Sequence, residues 1–181
     1  MPQPLSLKQA FAQPAALTLF FFGFASGLPF LLVGGTLSVW LKETGVSLEN
    51  IGLFSLAGLS YSLKFLWSPL LDQITLPILG RMGKRKSWLF AAQWLLGMSL
   101  FCMAMLTPVP EHLPLFVAVT ALAAFAGATQ DVVIDAYRIE IAPPEVQGAL
   151  AATYSLGYRL ALLLSGAFAL FLADQIPWSK V

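Results

Sequence analysis

Charge is scarce in this sequence. Lys, Arg, Asp and Glu make up 10% of its 181 residues, against about 25% in a soluble domain. Such a chain has too little polar surface to face water and instead suits lipid. The formal net charge of +1 gives no electrostatic footprint for nucleic acid. Cysteine occurs once, at Cys102, and histidine once, at His112. A single cysteine forms no internal disulfide, and neither residue stands in a metal-ligand spacing. Cys102 reads as a buried, inert thiol and His112 as a solvated loop residue. Period-two alternation is absent, which excludes a membrane β-barrel. So are a Gly-x-Gly-Asp motif, a Ser/His arrangement within an apolar segment and a phosphate-binding glycine loop. No cofactor or metal site is expected.

What is abundant is apolar sequence, 58% of the chain. A spanning helix takes about 20 mostly apolar residues, and five stretches qualify: 17–41, 49–71, 87–106, 113–138 and 146–173. The first is too long for the core of a cleaved signal. Unpaired backbone is intolerable in lipid, so these segments are expected to be helices. Ser47 or Asn50 caps the second, and Pro143-Pro144 stops the fourth. Residues 1–16 form a short N-terminal segment and 176–181 a truncated end. Lys8, Arg81, Lys84, Arg85, Lys86 and Arg138 fall on one side, Lys42 and Lys180 on the other. By the positive-inside rule the N-terminus is cytoplasmic. Trp40 and Trp178 then lie at the outer interface, Trp67 and Trp88 at the inner one.

Few ionisable residues fall inside these spans, and such residues are costly there. Asp131 and Asp135 are four apart and share a helix face. Gln130 adjoins the first, and Arg138 is three beyond the second, in ion-pair reach. Residues 113–129 rise roughly 25 Å, which puts Asp131 in the inner part of the membrane and Asp135 near its cytoplasmic edge. These groups serve either as a proton site and polar lining of a substrate path, or as a solvated helix end with a structural ion pair. Arg159 stands near the middle of the fifth span and needs an anion, either a protein carboxylate such as Asp131 or a substrate carboxylate. Lys64, within the second span, has a stem long enough to snorkel inward. Gly23-x-x-x-Gly27 is a small-residue packing face.

Ser68-Pro-Leu-Leu-Asp72 and Gly80-Arg-Met-Gly-Lys-Arg-Lys86 join spans two and three. They resemble the major facilitator superfamily loop, Gly-x-x-x-Asp-x-x-Gly-Arg-Lys/Arg. Ser68 replaces the first glycine, and an insertion, residues 73–79, separates Asp72 from the second. In that superfamily the loop forms charge pairs that latch two halves together. The resemblance implies Asp72, Arg85, Asp135 and Arg138 as cytoplasmic gating charges.

Five stretches together are similar to the AmpG-type muropeptide permeases of that superfamily. They are Gly23-Phe-Ala-Ser-Gly-Leu-Pro29, Ile51-Gly-Leu-Phe-Ser55, Lys64-Phe-Leu-Trp-Ser-Pro-Leu-Leu-Asp72, Ala128-Thr-Gln-Asp-Val-Val-Ile-Asp-Ala136 and Leu156-Gly-Tyr-Arg159. The resemblance implies an all-α protein of the bacterial inner membrane, an incomplete N-terminal six-helix half of a major facilitator fold. It also implies proton-coupled import of anhydromuropeptides, small anionic glycopeptides, for cell-wall recycling. Lys64, Gln130, Asp131 and Arg159 are then the substrate and proton path. Alternating access needs two halves, so the missing half is expected in the same longer chain or another subunit, and the chain reads as a fragment or truncated copy. Other readings are a non-transporting membrane subunit or relic, and a carrier of another anionic solute. An intramembrane prenyltransferase would need a second acidic motif, which is absent; no enzyme is expected.

Overall fold

A computed structural model describes residues 13–77, 80–141 and 143–181. Residues 1–12 of the expected N-terminal segment, Lys8 included, lie outside the described residues, as do Ile78, Leu79 and Ala142.

The described chain is helical and holds no strand. Helix α1 (Pro14–Glu43) opens it. Three short helices follow, α2 (Leu48–Ser55), α3 (Leu59–Leu63) and α4 (Ser68–Gln73). Then come α5 (Lys84–Met105), α6 (Leu113–Glu140) and α7 (Pro144–Ala173). Among the described residues α1, α5, α6 and α7 are long and apolar enough to cross a membrane. The second expected span is therefore not one regular helix. It is a helical run broken by 3-10 turns at Leu56–Gly58 and Lys64–Leu66.

Sequence explains the second break. Pro69 has no N–H, so the Phe65 carbonyl loses its usual helical donor. Trp67 sits at φ −105°, ψ −7°, and the turn tightens at Lys64. Ser47 caps α2, its side chain accepting from the Asn50 N–H at 3.3 Å. Gly83, at φ +90°, makes the sharp approach to α5 that a side chain would oppose.

The helices pack as two close pairs, α1 with α7 and α5 with α6. The Gly23-x-x-x-Gly27 face lies on α7. A Cβ on Gly23 would meet the Tyr154 carbonyl, and one on Gly27 would sit 2.6 Å from the Tyr158 carbonyl oxygen. Gly157 is the counterpart on α7, pressed onto the Phe20 carbonyl. Without a hydrophobic force between helices in lipid, such backbone approach supplies the association.

Core side chains join the pairs. Val33, Leu37 and Leu41 of α1 meet Phe54 of α2, Leu96 and Met103 of α5, and Phe116 of α6. The ring of Phe116 lies edge-on to Trp40 at 5.4 Å and to Phe54 at 5.9 Å. Both helices of the α1–α7 pair widen into a π turn, at Leu32–Thr36 and Leu164–Phe168. The Thr36 hydroxyl donates to the Ser165 carbonyl at 2.5 Å, tying the two bulges. Trp178 stacks on Trp40 at 6.0 Å and donates to Glu43 at 2.6 Å, which closes this end of the bundle.

Candidate substrate and proton site

The tightened turn at Lys64 faces one side of α6. There the Lys64 ammonium donates to Asp131 Oδ2 and stands 3.8 Å from Asp135 Oδ2. Arg138 Nη2 lies 3.8 Å from Asp135 Oδ1. From α7, the Tyr154 hydroxyl donates to Asp131 Oδ1 at 2.9 Å. The Arg138 guanidinium lies over the Tyr154 ring, 5.6 Å from its centre, a cation–π distance. Tyr154, Asp131, Lys64, Asp135 and Arg138 thus form a closed circuit contributed by three parts of the chain. Its two carboxylates and two cations cancel.

Beside this circuit is an open cavity of ≈ 330 Å³, lined by Asp131, Asp135, Tyr154, Ser155, Tyr158 and Arg159. Tyr158 stacks on Tyr154 at 6.3 Å and approaches Phe30 at 6.4 Å. Among the described residues no carboxylate lies within ion-pair distance of Arg159. Asp131, one of its two expected partners, has both oxygens engaged elsewhere. Arg159 is therefore the uncompensated charge of the cavity.

Gln130 sits differently. It is 1% exposed and outside the cavity wall. Its amide donates to the Ala25 carbonyl at 2.8 Å. Ala25 lies four residues before Pro29, so the proline removes the N–H that would pair with that carbonyl. Gln130 replaces the lost donor and in doing so joins α6 to α1. Gln130→Leu is expected to destabilise the bundle by about 1–3 kcal/mol, the cost of stranding a buried acceptor. In a Pro29→Ala background the helix supplies its own donor, and the same substitution should cost markedly less. Unfolding midpoints of the four proteins measure this; equal costs in both backgrounds would refute it.

The four expected gating charges divide into two places. Arg85 Nη1 meets Asp72 Oδ1 at 2.5 Å, and its Nη2 and Nε meet Glu140 Oε1 at 2.7 and 2.9 Å. Lys84 donates to the Asp72 carbonyl. This cluster ties the end of α4, the start of α5 and the end of α6. Asp135 and Arg138 belong instead to the Lys64 circuit. Sequence reasoning did not select Glu140, Tyr154, Tyr158 or Tyr61. The Tyr61 hydroxyl is buried against Gly127 and lies close enough to Asp131 to feel its charge. The one signal available was spacing, since Tyr154 and Tyr158 are four apart on the helix that carries Arg159 and share a face.

The family model described as acetyl-coenzyme A transporter 1 matches residues 16–109. The chain belongs to this family. It is 46% identical over 165 residues to the anhydromuropeptide permease of Escherichia coli (strain K12), covering 91% of this chain and 33% of that protein. It is 42% identical over 156 residues to the putative transporter AmpG 4 of Rickettsia conorii, covering 86% of this chain and 37% of the relative. An uncharacterized protein of Haemophilus influenzae is 39% identical over 161 residues. The chain spans about a third of the length of these relatives. The resemblance drawn from the five motifs thus extends through most of the chain. With its apolar helices, this makes it a multi-pass membrane protein of a transporter family. Lys64 and Tyr61 fall inside the residues 16–109 that the family model matches, and Asp131, Asp135, Arg138, Tyr154, Tyr158 and Arg159 fall outside them.

Proposed function

We propose that the chain forms the substrate-facing part of a proton-coupled carrier for anionic solutes, with anhydromuropeptide-like glycopeptides as the substrate class. One observation carries this reading: Arg159 opens into a cavity whose two carboxylates, Asp131 and Asp135, are already paired with Lys64 and Arg138. A guanidinium at membrane depth needs an anion, and a substrate carboxylate supplies one. Asp131 carries the coupling proton. While ionised it holds Lys64; once protonated it frees Lys64 for Asp135 or for the ligand. Asp72, Arg85 and Glu140 act as a latch at the cytoplasmic face.

In this reading the protein lies in the bacterial inner membrane with residues 1–16 cytoplasmic, 17–175 as the membrane bundle and 176–181 on the opposite side. Alternating access requires a second bundle, supplied by the same longer chain or by another subunit. The names of the relatives support the substrate class, and the cavity chemistry supports an anion.

The test is a chimera in which this chain replaces the matching segment of the Escherichia coli permease. It is expressed in cells that lack their own permease, and uptake of labelled anhydromuropeptide is measured. Uptake is expected. Arg159→Ala in the chimera should raise KM roughly 10–100-fold, the equivalent of one charge-assisted hydrogen bond, with membrane expression unchanged. A chimera that inserts but takes up no muropeptide would favour a non-transporting subunit.

A further inference from the structure

Helices α6 and α7 make few contacts with each other. Gln147 ties them near the turn, its amide donating to the Arg138 and Ile139 carbonyls at 3.3 and 3.4 Å. Deeper in the bundle the polar tie is the Tyr154 hydroxyl on Asp131 Oδ1, at 2.9 Å. The backbone of Tyr154 is fixed, because its carbonyl lies against Gly23 of α1. Its ring is fixed too, between Tyr158 and the Arg138 guanidinium. Only the hydroxyl bond depends on the charge of Asp131. That bond is charge-assisted while the carboxylate is ionised and weaker once it is neutral. Arg159 follows five residues later on the same helix.

Resting on the proton-carrier reading above, we infer that Tyr154 is a positioning residue that transmits the charge state of Asp131 to α7, and so to the anion site at Arg159. Asp131 takes one proton from water on one face and releases it to the other. Tyr154 keeps its own proton throughout and changes only the strength of its bond. The other groups facing Asp131 are Lys64 from the 3-10 turn, Tyr61 from α3, Tyr158 from α7, and Asp135 and Arg138 from its own helix. Lys64 balances the carboxylate but stands before α4, away from Arg159 in the chain. Tyr154 is the group that contacts the carboxylate and shares a helix with the anion site.

Tyr154→Phe keeps the ring and removes the hydroxyl. In the chimera, the ratio of proton-driven accumulation to downhill counterflow of labelled muropeptide is expected to fall about tenfold, the worth of a hydrogen bond to a charged group. A loss of packing alone would lower both rates together and leave the ratio unchanged, which would overturn the inference. Asp131→Asn runs in parallel. If it accumulates substrate like the parent, the proton-carrier reading fails and the inference with it. If Asp131→Asn is uncoupled while Tyr154→Phe keeps the parental ratio, the inference alone fails. A second measurement needs no transport. In the 181-residue chain in liposomes, the infrared carboxylic acid band of Asp131, identified by its loss in Asp131→Asn, should move to higher frequency in Tyr154→Phe. An unmoved band would mean that Tyr154 does not hold the carboxyl. Should Tyr154→Phe fail to fold, fluorotyrosine at 154 preserves shape and strengthens the donor; that band should then move to lower frequency, and an unmoved band overturns the inference equally.

Discussion

Replacing Gly157 with leucine is expected to separate α1 from α7 and to destabilise the bundle by about 3 kcal/mol or more, the upper part of the range for overpacked sites. A Cβ at this position would run into the Phe20 carbonyl and lie 3.0 Å from the Phe24 nitrogen. Those are backbone atoms inside a continuous helix, so no side-chain rotation relieves the collision. In lipid no hydrophobic force draws the displaced helices back together. Displacement also removes the Tyr154 hydroxyl from Asp131, so loss of packing and loss of the polar circuit coincide. Gly97→Leu is the control. Gly97 lies in α5 with no atom within 4 Å of its added Cβ, so leucine there has room and should gain slightly in helix propensity. The comparison is read from unfolding midpoints in detergent. If Gly157→Leu unfolds no earlier than Gly97→Leu, the close α1–α7 approach does not hold the bundle together.

The fold was legible where one physical rule dominated. Apolar length marks α1, α5, α6 and α7 directly, and paired small residues at Gly23 and Gly27 mark the face that α1 presents. The second span was only partly legible. Its composition reads as a single helix, yet Pro69 leaves the Phe65 carbonyl, four positions earlier, without its helical donor, within the tightened turn Lys64–Leu66. The site divides in the same way. Asp131, Lys64 and Arg159 stand out because charge is rare in an apolar chain. Which charge meets which is a matter of three-dimensional placement, and spacing along one helix could suggest only the Asp135–Arg138 pair. Gln130 is instructive. Its neighbour Asp131 made it look like a lining residue, while its partner is a carbonyl freed by a proline 101 residues earlier in the chain. Tyr154 and Glu140 were invisible for the opposite reason. A tyrosine in an apolar helix and a glutamate at a helix end are ordinary until their partners are known.

The Lys64–Asp131 pair should respond asymmetrically to neutralisation. Lys64→Met leaves Asp131 and Asp135 facing each other one helical turn apart. Arg138 is the remaining cation, 3.8 Å from Asp135, and the Tyr154 hydroxyl remains on Asp131. Asp131→Asn leaves Lys64 with a second carboxylate still 3.8 Å away. Stranding one member of a buried pair costs about 3–5 kcal/mol. With side-chain exposures of 30% and 18%, solvent screening brings the expected cost of Lys64→Met to about 2–3 kcal/mol. Asp131→Asn should cost about 1 kcal/mol, near the value of one net hydrogen bond. In the double variant Lys64→Met/Asp131→Asn no charge of the pair is left without its partner, so it should be more stable than Lys64→Met alone. The non-additive remainder of the cycle measures the coupling. Uptake separates stability from mechanism. In the chimera the double variant should fold and still fail to accumulate muropeptide, because the proton site is gone. Additive stabilities would mean that the two side chains do not act as a pair, and a double variant that accumulates substrate would remove Asp131 from the proton path.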